Sequence, residues 1–239
     1  MRAAVMVSTR NLYPDLGPPI KALLANSDVE KIYLFLEDDD PGVYLPPECE
    51  ILNVAGWKDK WRGTPNAGAS WTWMVLMRSM FHRLLPGYLD RVLSLDLDAF
   101  CLRDVSELWR LDMRDKLVAA VRETTPLDSP EFPYFNMGVA MLNLDGLRRT
   151  GKGDEVVRAL RNRYLQYPEQ HAYNYVCSGA VLWLPREYNA GIGTEPYGEP
   201  IIRHFMAESA TYRGSEIYRR YAALPWDQVR PRREGESPW

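Results

Sequence analysis

Short apolar runs, each stopped by polar or turn-forming residues, recur along the chain and alternate with segments of helical spacing. Ala3–Val7 is apolar and runs out into Ser8, Thr9, Arg10 and Asn11, the pattern of a buried strand ending in a loop. A helix is expected from Pro18 and Pro19, residues tolerated in a first turn, through Asn26, with Ile20, Leu23 and Leu24 sharing one face. Residues 32–36 form the next apolar run, stopped by an acidic stretch and Pro41-Gly42. Strand, helix and strand at this spacing predict a βαβ unit and therefore a parallel sheet. Residues 51–54, 92–95, 117–121, 138–144 and 180–184 read as further strands. Residues 71–85 lack Pro and Gly and read as a helix closed by Pro86 and Gly87; residues 153–164 and 168–176 read as two more helices.

Composition narrows the class. With 239 residues, 46% of them hydrophobic, the chain can bury the core of one α/β domain. Lys plus Arg (29) nearly balance Asp plus Glu (32), which argues against a dedicated polyanion binder. From Arg203 onward, seven arginines face five acids, so residues 211–239 stand out as a basic segment suited to a solvated surface helix, to phosphate or to an anionic membrane surface. Cys49, Cys101 and Cys177 are widely spaced and form no CxxC pair, which favours neither a disulfide framework nor a zinc ribbon and fits a reducing cytoplasm. The apolar run after Arg2 is shorter than a signal-peptide core, and no stretch approaches the roughly 18 apolar residues of a membrane span.

Asp96 and Asp98 carry the clearest chemistry. They stand two apart at the end of an apolar strand, so both carboxylates point to one side where the chain leaves the core. Like charges held together there repel unless a cation compensates them. The carboxyl ends of parallel strands form the ligand crevice of open sheets, so a divalent ion with an anionic ligand is the natural compensation.

The segment RVLSLDLDAFCLRDVSELW resembles the DxD region of glycosyltransferase family eight, the retaining sugar transferases that include glycogenin and bacterial lipopolysaccharide galactosyltransferases. YFNMGVAMLNLDGLR, PEQHAYN, REYN and RHF follow in the family's order, so the resemblance spans about residues 1–210. It implies a GT-A-like three-layer α/β sandwich with a mostly parallel central sheet, a UDP-sugar donor and Mn²⁺ or Mg²⁺. By the same resemblance Asp96, Asp98 and His204 are the metal ligands, while Thr9, Asn11 and Tyr13 receive the nucleoside and Arg78 lies near the donor. Asn136, with Glu123 behind it, would bond the sugar's hydroxyls. Gln170 would face the sugar, preceded by Glu169 where the family has Asp.

One departure stands out. The family continues HFxGxxKPW, whereas this chain reads HFMAESATYRGSEIYRRYAALPW, with Ala207 for Gly and no later Lys. Arg213, Arg219 or Arg220 would have to supply the charge that meets the diphosphate. A nucleotidyltransferase or a non-catalytic sugar-nucleotide binder remain as alternatives. The acceptor, which the sequence leaves open among saccharide, protein, lipid-linked glycan and nucleic acid, is expected on loops 55–70, 124–134 and 190–200, where Trp57, Trp61, Tyr134 and Tyr197 suit stacking.

Overall fold

Strand β1 (Ala3–Val7) is apolar on both faces because it lies inside a sheet covered on both sides: Ala3 and Val5 enter one core, Ala4 and Met6 the other. The structure is a computed structural model that describes residues 1–68, 72–123, 129–191, 198–206 and 212–229. After β1 the chain forms α1 (Gly17–Ala25), β2 (Lys31–Leu36), β3 (Cys49–Asn53) and the short α2 (Lys58–Trp61). A 3-10 helix over Trp73–Met80 leads into α3 (Phe81–Leu84), then β4 (Arg91–Leu95), β5 (Ala99–Cys101), β6 (Val118–Arg122) and β7 (Phe135–Asn143). The rest comprises α4 (Leu144–Arg149), α5 (Lys152–Asn162), α6 (Pro168–Cys177), β8 (Val181–Leu184), β9 (Ile202–His204) and α7 (Glu216–Ala223).

Seven strands form one sheet in the order β3-β2-β1-β4-β7-β6-β8. Only β7 is antiparallel to its neighbours; the other pairs are parallel. One face packs on α3, α4, α5 and α6 through residues such as Phe81, Leu147, Leu160 and Tyr173. The other packs on α1 and on a 3-10 helix carrying Leu108 and Trp109. The result is the expected three-layer, mostly parallel α/β sandwich. From β1 the chain crosses to β2 on one side, while β4 lies on the other, so a crevice opens where strand order reverses. A second sheet, β5 with β9, is built of two three-residue strands.

Residues 73–84 differ from the expected helix: most of the segment is 3-10. Arg78 and Ser79 are buried along with Met74, Leu76, Met77, Met80 and Phe81, so no polar stripe remains, and the Ser79 hydroxyl bonds the Leu76 carbonyl at 2.7 Å. Residue 71 lies outside the described residues. Residues 212–229 pack on the same body. Ser215 caps α7 by accepting from the Tyr218 N–H at 3.1 Å, and Phe100, Phe205, Tyr212 and Tyr221 form a small aromatic core beneath it. Residues 230–239, which carry Arg230, Arg232 and Arg233, lie outside the described residues. Among the described residues no helix is long and apolar enough to cross a membrane.

Candidate active site

The polar side chains of interest gather at one end of the strands, the carboxyl end of the parallel ones. Asp96 and Asp98 follow β4, Glu123 follows β6, Asn136 stands at the start of antiparallel β7, and Asn189 follows β8. His204 arrives by a different route. Pairing of β5 with β9 sets Ala99 opposite His204, one residue beyond Asp98. His204 Nε2 then lies 3.5 Å from Asp96 Oδ2 and 3.2 Å from Asp98 Oδ1, although the imidazole is only 3% exposed. One ligand atom from each of the three residues falls within 4.8 Å of the others.

Glycine at 138 makes room for this cluster. A Cβ there would stand 2.1 Å from His204 Cε1 and 2.8 Å from Asp96 Oδ2, so a larger residue would occupy the cradle itself. Two carboxylates and one imidazole form an oxygen and nitrogen donor set that suits Mn²⁺ or Mg²⁺.

Burial lowers the pKa of His204, but hydrogen bonding and charge from Asp96 and Asp98 more than reverse that and carry it up to about 9. Burial likewise works against an ionised Asp96, yet Arg78 and His204 hold its carboxyl below the usual carboxylate range. Without an ion, the imidazolium thus does part of a cation's work.

A chain of amides fixes how His204 presents itself. The Gly138 N–H donates to Asn136 Oδ1 at 2.8 Å, which makes that oxygen an acceptor and turns Asn136 Nδ2 toward Glu123 Oε2 at 3.1 Å. Asn189 Nδ2 therefore donates to Asn136 Oδ1 at 2.9 Å, leaving Asn189 Oδ1 to face His204 Nδ1 at 2.8 Å. Nδ1 must carry the hydrogen, and Nε2 is the nitrogen directed at the two carboxylates. Gln170 joins the far end: Oε1 accepts from the Met137 N–H at 3.0 Å, and Nε2 donates to Glu123 Oε2 at 2.9 Å and to the Tyr134 hydroxyl at 3.2 Å.

The model of the family described as glycosyl transferase family 8 matches residues 47–209. The chain belongs to glycosyl transferase family 8. A lipopolysaccharide 1,2-glucosyltransferase of Escherichia coli K12 is 34% identical over 132 residues, a match covering 50% of this chain and 39% of that relative. The chain spans well under half the length of the curated relatives it matches, which here means 39% and 34%. Among solved structures, the glycosyltransferase GlyE of Streptococcus pneumoniae TIGR4 superposes with a TM-score of 0.72 at 17% identity, over 95% of this chain and 62% of GlyE. The galactosyltransferase LgtC in complex with donor and acceptor sugar analogues gives 0.69 at 16% identity, over 94% of this chain and 98% of LgtC. These likenesses show a GT-A fold.

Thr9 and Asn11 lie at the surface of the loop after β1, bonded to each other at 2.6 Å through Thr9 Oγ1 and Asn11 Oδ1. Tyr13 does not offer a ring for stacking. It is 6% exposed, packed among Leu16 and Ile20, and its hydroxyl donates to Asp38 Oδ2 at 3.0 Å while accepting from the Glu37 N–H at 2.9 Å. The ring belongs to the core because the 3-10 helix over Arg10–Asp15 turns it inward.

Arg78, expected near the donor, is tied to the carboxylate cluster itself. Its buried guanidinium bonds Asp96 and the Met137 carbonyl, donates to Ser94 Oγ at 3.0 Å, and lies 3.6 Å from Glu169 Oε1. Glu169 is buried too, and burial pushes it up to about 7 against the pull of Arg78. Arg78 therefore touches the site through Asp96 and the backbone of β7, and Glu169 reaches it through Arg78. Arg213 forks onto buried Asp15, with Nε 2.9 Å from Oδ1 and 3.0 Å from Oδ2, so it is not available for a diphosphate. Arg219 and Arg220 lie on the exposed face of α7. Ala207 lies outside the described residues.

Of the aromatic residues assigned to acceptor loops, Trp61 is 2% exposed and belongs to the core, in the same hydrophobic cluster as Met74 and Phe81. Trp57 is half-buried with the Lys60 ammonium 3.7 Å from its ring, and Tyr197 lies outside the described residues. Asn189, which lay in a sequence motif with no assigned role, is the residue that links His204 to Asn136. Its position in REYN was visible; its partner His204 was not.

Proposed function

We propose that this protein is a metal-dependent, retaining glycosyltransferase that moves a hexose from a UDP-sugar to an acceptor. The observation that carries the reading is the convergence of Asp96, Asp98 and His204 Nε2 at the sheet's switch point, on the same network as Asn136, Glu123 and Gln170. Asp96, Asp98 and His204 would hold the divalent ion, which supplies Lewis-acid stabilisation to the departing diphosphate. Thr9 and Asn11 bind the nucleoside from the loop after β1. Asn136 and Gln170 orient the sugar, with the Glu123 carboxylate fixing both amides. An amide is a poor nucleophile, so Gln170 supports a short-lived oxocarbenium-like species through its dipole and forms no covalent bond to it.

Glucose is the first donor to test, because the E. coli relative is a glucosyltransferase. Incubation with UDP-glucose and UDP-galactose, with Mn²⁺ or with EDTA, should release UDP in the presence of the ion only. The product's anomeric configuration, read by proton NMR, should match the donor's. Pyrophosphate in place of UDP would make the chain a nucleotidyltransferase. Tight binding of UDP with Mn²⁺ but no sugar loss, even to water, would make it a binding protein.

A further inference from the structure

The short helix α2 and the end of α5 put five cations on one surface. Lys58 and Lys60 belong to α2, Arg158 and Arg161 stand three residues apart on α5, and Arg163 follows that helix. Contacts join these elements into one patch: Arg161 donates to the Lys60 carbonyl, its guanidinium lies 5.5 Å from the Trp61 ring, and Arg163 lies 5.0 Å over the Tyr175 ring of α6. The nearby acids are engaged elsewhere. Asp59 pairs with Arg62, and the acids of α5 sit in its first turn, where Asp154 pairs with Arg83 and Glu155 with Lys152. A positive patch thus stands on a chain whose net charge is −3.

Aromatic rings border the same patch. Tyr164 is 66% and Tyr175 58% exposed, and with Tyr167 and Phe132 they make four of the eight large apolar side chains left in water among the described residues. Between them opens a cavity of about 270 Å³ whose lining, which includes Phe132, Arg163, Leu165, His171 and Tyr175, presents carbon almost throughout. Tyr164 stands between two of these residues, and the Tyr167 ring is 5.4 Å from that of His171. The surface is held in place from beneath: Asn66 Nδ2 donates to the Leu160 and Arg163 carbonyls at 2.6 and 2.7 Å, and Asn66 Oδ1 accepts from the Leu165 N–H at 2.9 Å, which fixes the turn that displays Tyr164.

We infer that this face of α2, α5 and α6 docks on the anionic surface of a lipid bilayer, with its cations at the headgroup phosphates and its rings and cavity at the boundary with the acyl chains. The inference goes beyond the transferase reading and does not depend on it. It is also separate from the basic segment after residue 210, because the patch is built only from residues between 58 and 175. Charge alone would suit any polyanion; the rings and the cavity narrow the partner. A tyrosine at a membrane interface gives its ring to hydrocarbon while its hydroxyl stays in water, and arginine and lysine divide an apolar stem from a charged head in the same way. Attachment to such a surface strengthens with buried apolar area and with attraction to anionic lipid, and this patch offers both side by side. A nucleic acid would engage the charges and stack on the rings but leave the apolar cavity unfilled.

Flotation of the full chain with vesicles of phosphatidylcholine, alone or mixed with phosphatidylglycerol, tests this, with heparin as a soluble polyanion for comparison. Binding should require phosphatidylglycerol and weaken as salt is raised. The combined Lys60→Gln, Arg158→Gln and Arg163→Gln variant should bind about a hundredfold more weakly, and the Tyr164→Ser and Tyr175→Ser pair about tenfold more weakly, with the melting temperature held in each. Arg158→Lys with Arg163→Lys keeps the charge and should keep the binding. A wild-type chain that ignores anionic vesicles, or vesicle binding that survives in both the charge and the tyrosine variants, would overturn the inference. So would binding to heparin tighter than to vesicles and indifferent to the two tyrosines, which would make the patch a polyanion site. Release of UDP from a sugar donor is a separate reading, so loss of either result leaves the other standing.

Discussion

Replacing Asn189 by Leu keeps the volume of the side chain nearly constant while deleting both of its polar groups. His204 Nδ1–H then loses its acceptor at 2.8 Å in a position only 3% exposed, and a buried donor left unpaired costs about 1–3 kcal/mol. The second loss is milder, because Asn136 Oδ1 keeps the Gly138 N–H at 2.8 Å when the Asn189 amide is removed. The damage should therefore concentrate on the imidazole. Groups that orient a ligating histidine typically contribute about 10–100-fold to metal affinity, or about 1.4–2.7 kcal/mol. Mn²⁺ titration in the presence of UDP, by calorimetry or by the manganese EPR signal, should show that loss in Asn189→Leu. Asn189→Asp separates the two bonds: it still accepts from Nδ1 but sets oxygen against oxygen at Asn136. It should keep Mn²⁺ and lose sugar release from UDP-glucose. A folded Asn189→Leu protein that binds Mn²⁺ as the wild type does would refute the argument that Asn189 presents Nε2 to the ion.

Gly138→Ala forces a Cβ to 2.1 Å from His204 Cε1; because Asn189 pins the ring, the variant should lose about 1–3 kcal/mol in denaturant melts and bind no Mn²⁺. In metal-free protein the His204 pKa rises from its ordinary 6.5 to about 9, so its protonated form stabilises the fold fully below pH 6.5 and that contribution fades as pH climbs to 9. The melting temperature in EDTA should fall across that window, and Mn²⁺ should abolish the fall by taking the proton's place. Arg213→Lys loses the fork onto Asp15 and should cost at most about 1 kcal/mol, with UDP affinity nearly unchanged; collapse of UDP binding would show that Arg213 meets the diphosphate after all. A cut at 212 uncovers Phe100 and should lower the melting temperature.

Local pattern was enough for much of the scaffold. The apolar run of β1, the proline-led start of α1 and the acidic exit of β4 follow from near-neighbour geometry and burial, so strand, helix and the position of Asp96 and Asp98 were readable one segment at a time. FNMG and REYN were visible as motifs through their resemblance to the family's segments. Their meaning was not, because each works through a partner distant in sequence: Gly138 yields space to His204, and Asn189 hands it a hydrogen-bond acceptor.

The direction of β7, the three-residue seam of β5 and β9, and the fates of Tyr13, Trp61 and Arg78 depended on packing across the whole body. Three-residue strands carry too few positions to show a period, and an aromatic or arginine side chain near a loop is as compatible with the interior as with the surface. Propensity and hydrophobic spacing act over a few residues and so can be read along a line. Which carboxylate meets which imidazole is settled only when separate segments close on one another, since the free energy of that meeting resides in contacts no single segment contains.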